Sequence, residues 1–227
     1  RRQRQMCIRD RTYSTLLVPY GKRSFLTLRD GTKVWINSGT EVRFPVNMEG
    51  KERSIYVDGE IYIEVAKDKE RPFYVHTSGF DVRVYGTKFN VTSYKADEEK
   101  SVVLVEGSVS VCSKEETKEK EAKEIFLHPD QMYHTTNRGP MITHVNALQY
   151  ITWKDGIWQF TSESLESIAL RLSRYYGVDI HCDEKTAVKS CTGKLILFDD
   201  VDKTLRIIEE IFGVRYETNQ NEIIISM

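Results

Sequence analysis

The chain has 227 residues, of which 40% are hydrophobic and 30% charged, and its formal net charge is −1. That length supports one large or two small domains, and the balanced charge excludes the basic face that nucleic-acid phosphates require. No apolar run approaches the ~20 residues of a bilayer-crossing helix, no signal peptide or CxxC pair occurs, and a chain starting at Arg1 reads as a fragment with any membrane segment upstream.

Residues 1–15 read as a disordered or artefactual terminus. Within it Met6–Arg11, MCIRDR, is what one frame of the end sequence of a common sequencing-library transposon encodes, so it is set aside from fold reasoning. Strand periodicity begins at Leu16. Leu26 and Leu28 alternate with Thr27 and Arg29, and Asp30-Gly31 is a hairpin turn signal. Val34 and Ile36 alternate next, Ser38-Gly39 turns, and Val42 and Phe44 precede Pro45. The densest patterning runs from Tyr56 to Val91. Ile61, Ile63 and Val65, then Phe73 and Val75, then Phe80, Val82 and Val84, then Phe89 and Val91 recur with a period of two. This predicts short antiparallel strands with one face inward. Gly-Thr-x-(Val/Phe) at Gly31, Gly39 and Gly86 suggests one recurring turn geometry. Val102–Val111 reads as two more strands, Lys114–Glu124 as a solvated charge run, and Ile125–Leu127 as a return to the sheet.

Composition shifts after Asn146, and residues 147–156 read as a linker. Ser162 is the expected N-cap of a helix carrying Leu165, Ile168, Ala169, Leu172 and Tyr175 or Tyr176 on one face and stopping at Gly177. Val178–Cys182 and Thr192–Phe198 alternate as strands. A second helix opens at Asp199 or Asp200, turns Val201, Leu205, Ile208 and Ile211 inward, and stops at Gly213. The two helices repeat at the 36-residue offset from Gly177 to Gly213: Leu165 meets Val201, Ala169 meets Leu205, Leu172 meets Ile208 and Val178 meets Val214. The expected fold is therefore multidomain and mainly β. An all-β sandwich or roll of short strands spans 16–146, and a small α+β domain with duplicated helix-strand units spans 157–227.

Catalytic signatures are absent: no nucleophile elbow, His-Glu-x-x-His, P-loop or dinucleotide fingerprint occurs. The five histidines are scattered, so no metal, cofactor or enzymatic activity is expected. Glu60 and Glu64 share a strand face, a poor arrangement for the opposed carboxylates of a glycosidase and a better one for an arginine partner. Tyr56, Tyr62, Tyr74, Tyr85 and Tyr94 recur on strands, where cross-strand pairing is preferred over a sugar-stacking platform. Cys182 and Cys191 lie at strand edges and are candidates for a disulfide if their strands pair antiparallel; two free thiols are the other reading. The terminal strand Glu222, Ile223, Ile224, Ile225 and Ser226 is expected to be an apolar edge open to a partner's strand, against the reading that it lies inside the sheet.

Four blocks in order, DGTKVWINSGTEVRFP from Asp30, DGEIYIEVAKD from Asp58, RPFYV from Arg71 and GTKFNV from Gly86, resemble the extracytoplasmic domain of FecR-type anti-sigma regulators. The duplicated C-terminal unit is similar to the secretin-and-TonB N-terminal domain that ends many such proteins of the Bacteroidetes kind, so the likeness covers Val18–Met227. It implies the periplasmic part of an inner-membrane anti-sigma factor, without catalysis. Its implied partners are the signalling domain of a TonB-dependent outer-membrane receptor and an extracytoplasmic-function sigma factor, the latter through a cytoplasmic segment outside this sequence. Contact with the membrane would run only through an upstream span. A carbohydrate-binding β-sandwich module of a secreted or periplasmic protein is the alternative, and an unrecognised glycan enzyme comes third.

Overall fold

The computed structural model describes residues 12–114, 124–136, 139–219 and 222–227. The MCIRDR segment, nearly all of the charge run and the last hairpin's tip lie outside the described residues. The strands of the first part are β1 (Tyr13–Val18), β2 (Ser24–Thr27), β3 (Lys33–Ile36), β4 (Thr40–Pro45), β5 (Arg53–Glu64), β6 (Phe73–His76), β7 (Phe80–Val84), β8 (Lys88–Ser93), β9 (Ser101–Glu106), β10 (Val109–Ser113), β11 (Glu124–Leu127), β12 (Gln131–His134) and β13 (Met141–His144). They form one curled sheet in the order β11-β10-β7-β6-β5-β8-β9-β12-β13, with β3 and β4 also on β5, β2 on β3 and β1 on β4. Among the described residues the first strand starts at Tyr13, inside the stretch read as a terminus.

β5 is the strand on which the curl depends. Its first half pairs with β4 and runs parallel to β6, Arg53 beside Phe73 and Tyr56 beside His76. Its second half pairs with β3 and β8, Ile61 beside Ile36 and Val91. The expectation of short antiparallel strands holds for the rest of this sheet and is corrected at β5, which has 12 residues and pairs with β6 in parallel. Alternation cannot reveal this, because side chains alternate with a period of two in either kind of ladder. At the switch between the halves stands Gly59, with φ +135; a Cβ there would lie 2.3 Å from Thr40 Oγ1. Only glycine meets both demands.

The inward set is the predicted one. Val34, Ile36, Ile61, Ile63, Phe73, Val75, Phe80, Val82, Phe89 and Val91 are fully buried in one cluster. Each such side chain contributes up to about 1.5–3 kcal/mol of transfer free energy. The Gly-Thr units do share a role. All three glycines have positive φ, and Thr32, Thr40 and Thr87 are buried. Their hydroxyls replace ladder partners: Thr32 Oγ1 accepts from Ala66 N–H at 3.1 Å, Thr40 Oγ1 from Glu60 N–H at 3.0 Å, and Thr87 Oγ1 donates to Ser108 O at 2.9 Å.

Residues 147–156, read as a linker, are mostly a 3-10 helix, Ala147–Asp155, capped by Asn146 and ended by Gly156 in the left-handed region. Then follow β14 (Ile157–Ser164), α1 (Leu165–Tyr176), β15 (Asp179–Cys182), α2 (Glu184–Ala187), β16 (Ser190–Ile196), α3 (Val201–Phe212), β17 (Arg215–Asn219) and β18 (Glu222–Ser226). They enclose a second hydrophobic cluster from Trp158 to Ile225, separate from the first. The helix stops at Gly177 and Gly213 and the cap at Asp200 are as expected. The N-cap of α1 is Ser164, whose side chain accepts from Ser167 N–H, not Ser162. β14 runs on to Ser164, and Ser162 sits at φ +51 in the bulge between Phe160 and Glu163. Ile211, expected inward, is exposed, and Phe212 is buried instead. α2 is too short to leave a periodic signature.

Two further expectations are corrected. β18 is the middle strand of a three-stranded sheet, parallel to β15 and antiparallel to β17. Its backbone groups are used on both sides, Ile223 and Ile225 are core residues, and Ile224 is half-buried. Being last in sequence did not leave it outermost, since the chain end inserts between two earlier strands. The edge-based case for Glu222–Ser226 as a partner site therefore loses its premise. Cys182 and Cys191 are free thiols. Their strands do not pair, because β15 joins β18 and β16 joins β14. Both side chains pack against the second cluster instead.

Candidate functional site

Among the described residues no cluster of His, Cys, Asp and Glu could hold a metal ion. The densest assembly of polar chemistry lies where α1 and the 3-10 helix meet the curled sheet. α1 buries Leu165, Ile168, Ala169 and Leu172 in its own core. One turn apart, Arg171 and Arg174 carry its charge towards the sheet, as the i, i+3 spacing of a helix face allows.

Arg174 forms a bidentate pair with Asp97, from the loop between β8 and β9. Its guanidinium carbon stands 3.9 Å from the centre of the Tyr94 ring, and its carbonyl accepts from Gly21 N–H at 2.9 Å. The Tyr94 hydroxyl, anchored on Ser38 O at 2.9 Å, fixes that ring. Burial works against the Arg174 charge, but the hydrogen bonds and charge of Asp97 outweigh it and raise its pKa. Burial, and after it the charge of Glu60, also pushes the Tyr94 phenol well above its usual range.

Arg171 lies 3.9 Å from Glu60 Oε1 and 3.7 Å from Glu163 Oε1, with its guanidinium 4.9 Å from the Trp158 ring. Here too burial opposes the charge, and Glu163 and Glu60 overcome it. Glu60 is itself buried. Asn37 Nδ2 donates to its Oε2 at 2.7 Å, and Asn90 Nδ2 and Thr92 Oγ1 donate to its Oε1 at 3.1 and 3.2 Å. Asn90 Oδ1 in turn accepts from Trp153 Nε1 at 3.1 Å. Arg23 closes the set, donating to Trp153 O and stacking 4.5 Å over the Tyr175 ring. One connected polar network thus links β5 and β8 to the 3-10 helix and α1.

The arginine partner expected for Glu60 is present, but from the other unit. Glu64 accepts from the Tyr62 hydroxyl at 3.0 Å. The sequence reading missed Arg171, Arg174, Asp97 and Trp153. Its only available signal was two basic residues one turn apart on the half-exposed side of a predicted helix. Of the five tyrosines, Tyr62 and Tyr94 are buried. Tyr56 stacks on its cross-strand neighbour His76 and Tyr74 on the same ring from two residues along β6, with centroids 4.8 and 5.9 Å apart, while Tyr85 is exposed.

The arrangement contains no nucleophile–base pair. What it does is tie two hydrophobic cores together through charges held in fixed geometry. Sequence models of two families cover those two parts: the FecR protein family matches residues 14–110, and the FecR, C-terminal family matches residues 157–225. Two crystal structures of a candidate anti-sigma factor from Parabacteroides distasonis ATCC 8503 share the whole architecture at 26% identity. They give TM-scores of 0.84 and 0.85 and cover 93% and 95% of this chain and 98% and 99% of their own. No curated protein matches. Both cores, joined in the same order as in those relatives, carry FecR sequence, and the chain belongs to the FecR family of anti-sigma factors.

Proposed function

We propose that this chain is the periplasmic part of an inner-membrane anti-sigma factor that relays a signal from a TonB-dependent outer-membrane receptor to an extracytoplasmic-function sigma factor. The sigma factor would be held by a cytoplasmic segment outside this sequence. Family membership supports the regulatory role. The observation that supports a relay is the junction, where Arg171 and Arg174 of α1 are clasped by Glu60 and Asp97 of the sheet. A partner on the C-terminal unit would be coupled through these charges to the unit before it. We take residues 16–146 and 157–227 as separately folding domains, in keeping with their separate cores.

The test is a binding screen of the chain against the signalling domains of the TonB-dependent receptors of its own genome, by calorimetry. One or a few are expected to bind, and binding is expected to survive in 152–227 alone. Failure of every signalling domain overturns the receptor relay. A fragment 152–227 without helical circular dichroism or a cooperative thermal transition overturns the two-domain reading.

A further inference from the structure

Away from the junction, on the outer face of the sheet's far end, lies a cleft of about 350 Å³ lined by Lys67, Lys69, Arg83, Tyr85, Ser110 and Phe126, among others. Arg83, Ser110 and Phe126 are register neighbours across β7, β10 and β11, so they form one row on one face. The lining contains two lysines and an arginine and no carboxylate. Tyr85 and Phe126 stand 45% and 57% exposed, a large share for aromatic side chains.

The chemistry this face accepts is visible within the chain. Glu124 lays one carboxylate oxygen 2.6 Å from Arg83 and against the Ser110 hydroxyl. A carboxylate is therefore already bound on the row, and the exposed Lys67 and Lys69 bring two more cations to the same cleft.

We propose that this cleft binds an extended acidic segment of a partner protein. Its carboxylates would lie on Lys67 and Lys69, and an apolar side chain would lie between Tyr85 and Phe126. The cleft is open along the sheet rather than closed around a small ion, which favours a chain over a free anion. The proposal concerns the sheet and is independent of the receptor reading, which concerns the C-terminal unit.

A fluorescein-labelled synthetic peptide alternating glutamate with valine, titrated with the protein at low salt, provides the test by fluorescence anisotropy. Saturable binding is expected, weakened about tenfold or more in Lys67→Glu/Lys69→Glu and again in Phe126→Ser, and weakened by salt as surface charge pairs are. All three positions are exposed, so circular dichroism should match the parent. No saturable binding below about 1 mM overturns the proposal. So does equal binding of the lysine–valine counterpart, unchanged affinity in both variants, or displacement of the peptide by inorganic phosphate at equal concentration, which would make the cleft a small-anion site.

Discussion

Two arginines in this molecule are buried against aspartates, and they do opposite kinds of work. Arg53 lies inside the first core at the start of β5, its side chain 1% exposed and its partner Asp30 5%. It bonds Asp30 at 2.8 Å and the carbonyls of Ala66 and Arg71 at 2.9 Å each, and its guanidinium carbon stands 5.4 Å from the Phe73 ring centre. Asp30 also takes both the N–H and the hydroxyl of Thr32. One cation thus pins a hairpin and the β5–β6 crossover to a single sheet. Arg174 is 10% exposed and Asp97 19%, and they connect parts that otherwise have separate cores. Charge buried within a core specifies that core. Charge at a junction specifies how two cores sit, and on the reading of two separately folding domains its release is expected to leave both intact, since polar interfaces between domains yield more readily than apolar ones.

The largest expected effect comes from breaking the inner pair. Arg53→Ala leaves Asp30 buried and two carbonyls unbonded, and a loss of about 3–5 kcal/mol is expected in urea unfolding. A loss under about 1 kcal/mol would show that solvent reaches the site and that the two arginines are alike. Arg174→Ala is expected to cost less, about 1–3 kcal/mol, because both groups keep some solvent. Its signature is different: faster proteolysis within 147–156 while both cores keep their amide protection from exchange. Uniform loss of protection in both cores would erase the distinction. Trp153→Phe removes the indole donor to Asn90 Oδ1 and should cost about 1–2 kcal/mol, with the same proteolytic signature. If Trp153→Phe and Arg174→Ala prove strictly additive, the network is not one unit.

The smallest effect belongs to a half-exposed charge cluster that serves as the control. Asp81 bonds His76 Nδ1 at 2.8 Å and Lys114 Nζ at 2.7 Å on the outer face. Burial pushes the Asp81 carboxyl up, but the hydrogen bonds from His76 and Lys114 pull it further down, below its ordinary value of 3.8. A carboxyl depressed in the folded state contributes stability above its unfolded pKa and loses it as pH falls through the folded one. Asp81→Asn should therefore cost under about 1 kcal/mol at neutral pH and nothing at pH values well below the carboxylate range. Urea midpoints measured across that window check the sign. A cost that grows on acidification contradicts it.

Much of the chain was legible because its signals are local. Period-two alternation found Ile61, Phe73, Val82 and Phe89 as core residues, and a left-handed glycine after each helix placed Gly177 and Gly213. These depend on a residue and its near neighbours, which sequence contains. The site was scarcely legible. Glu60 finds Arg171 at a separation of more than a hundred residues, and no pattern in either segment reports the other.

What the sequence alone determined is the inventory: mostly strands, two helices of one repeated design, inward faces, most caps, and the FecR likeness of Asp30–Val91. Tertiary structure alone decided who lies beside whom. It set β6 parallel to β5 and drew β18 into the middle of its sheet. It parted Cys182 from Cys191 and moved the cap of α1 from Ser162 to Ser164 by lengthening β14. The physical reason is that a strand's periodicity records only which face is buried. Its neighbours are chosen by the summed packing of the whole sheet, a quantity that no short stretch of chain contains.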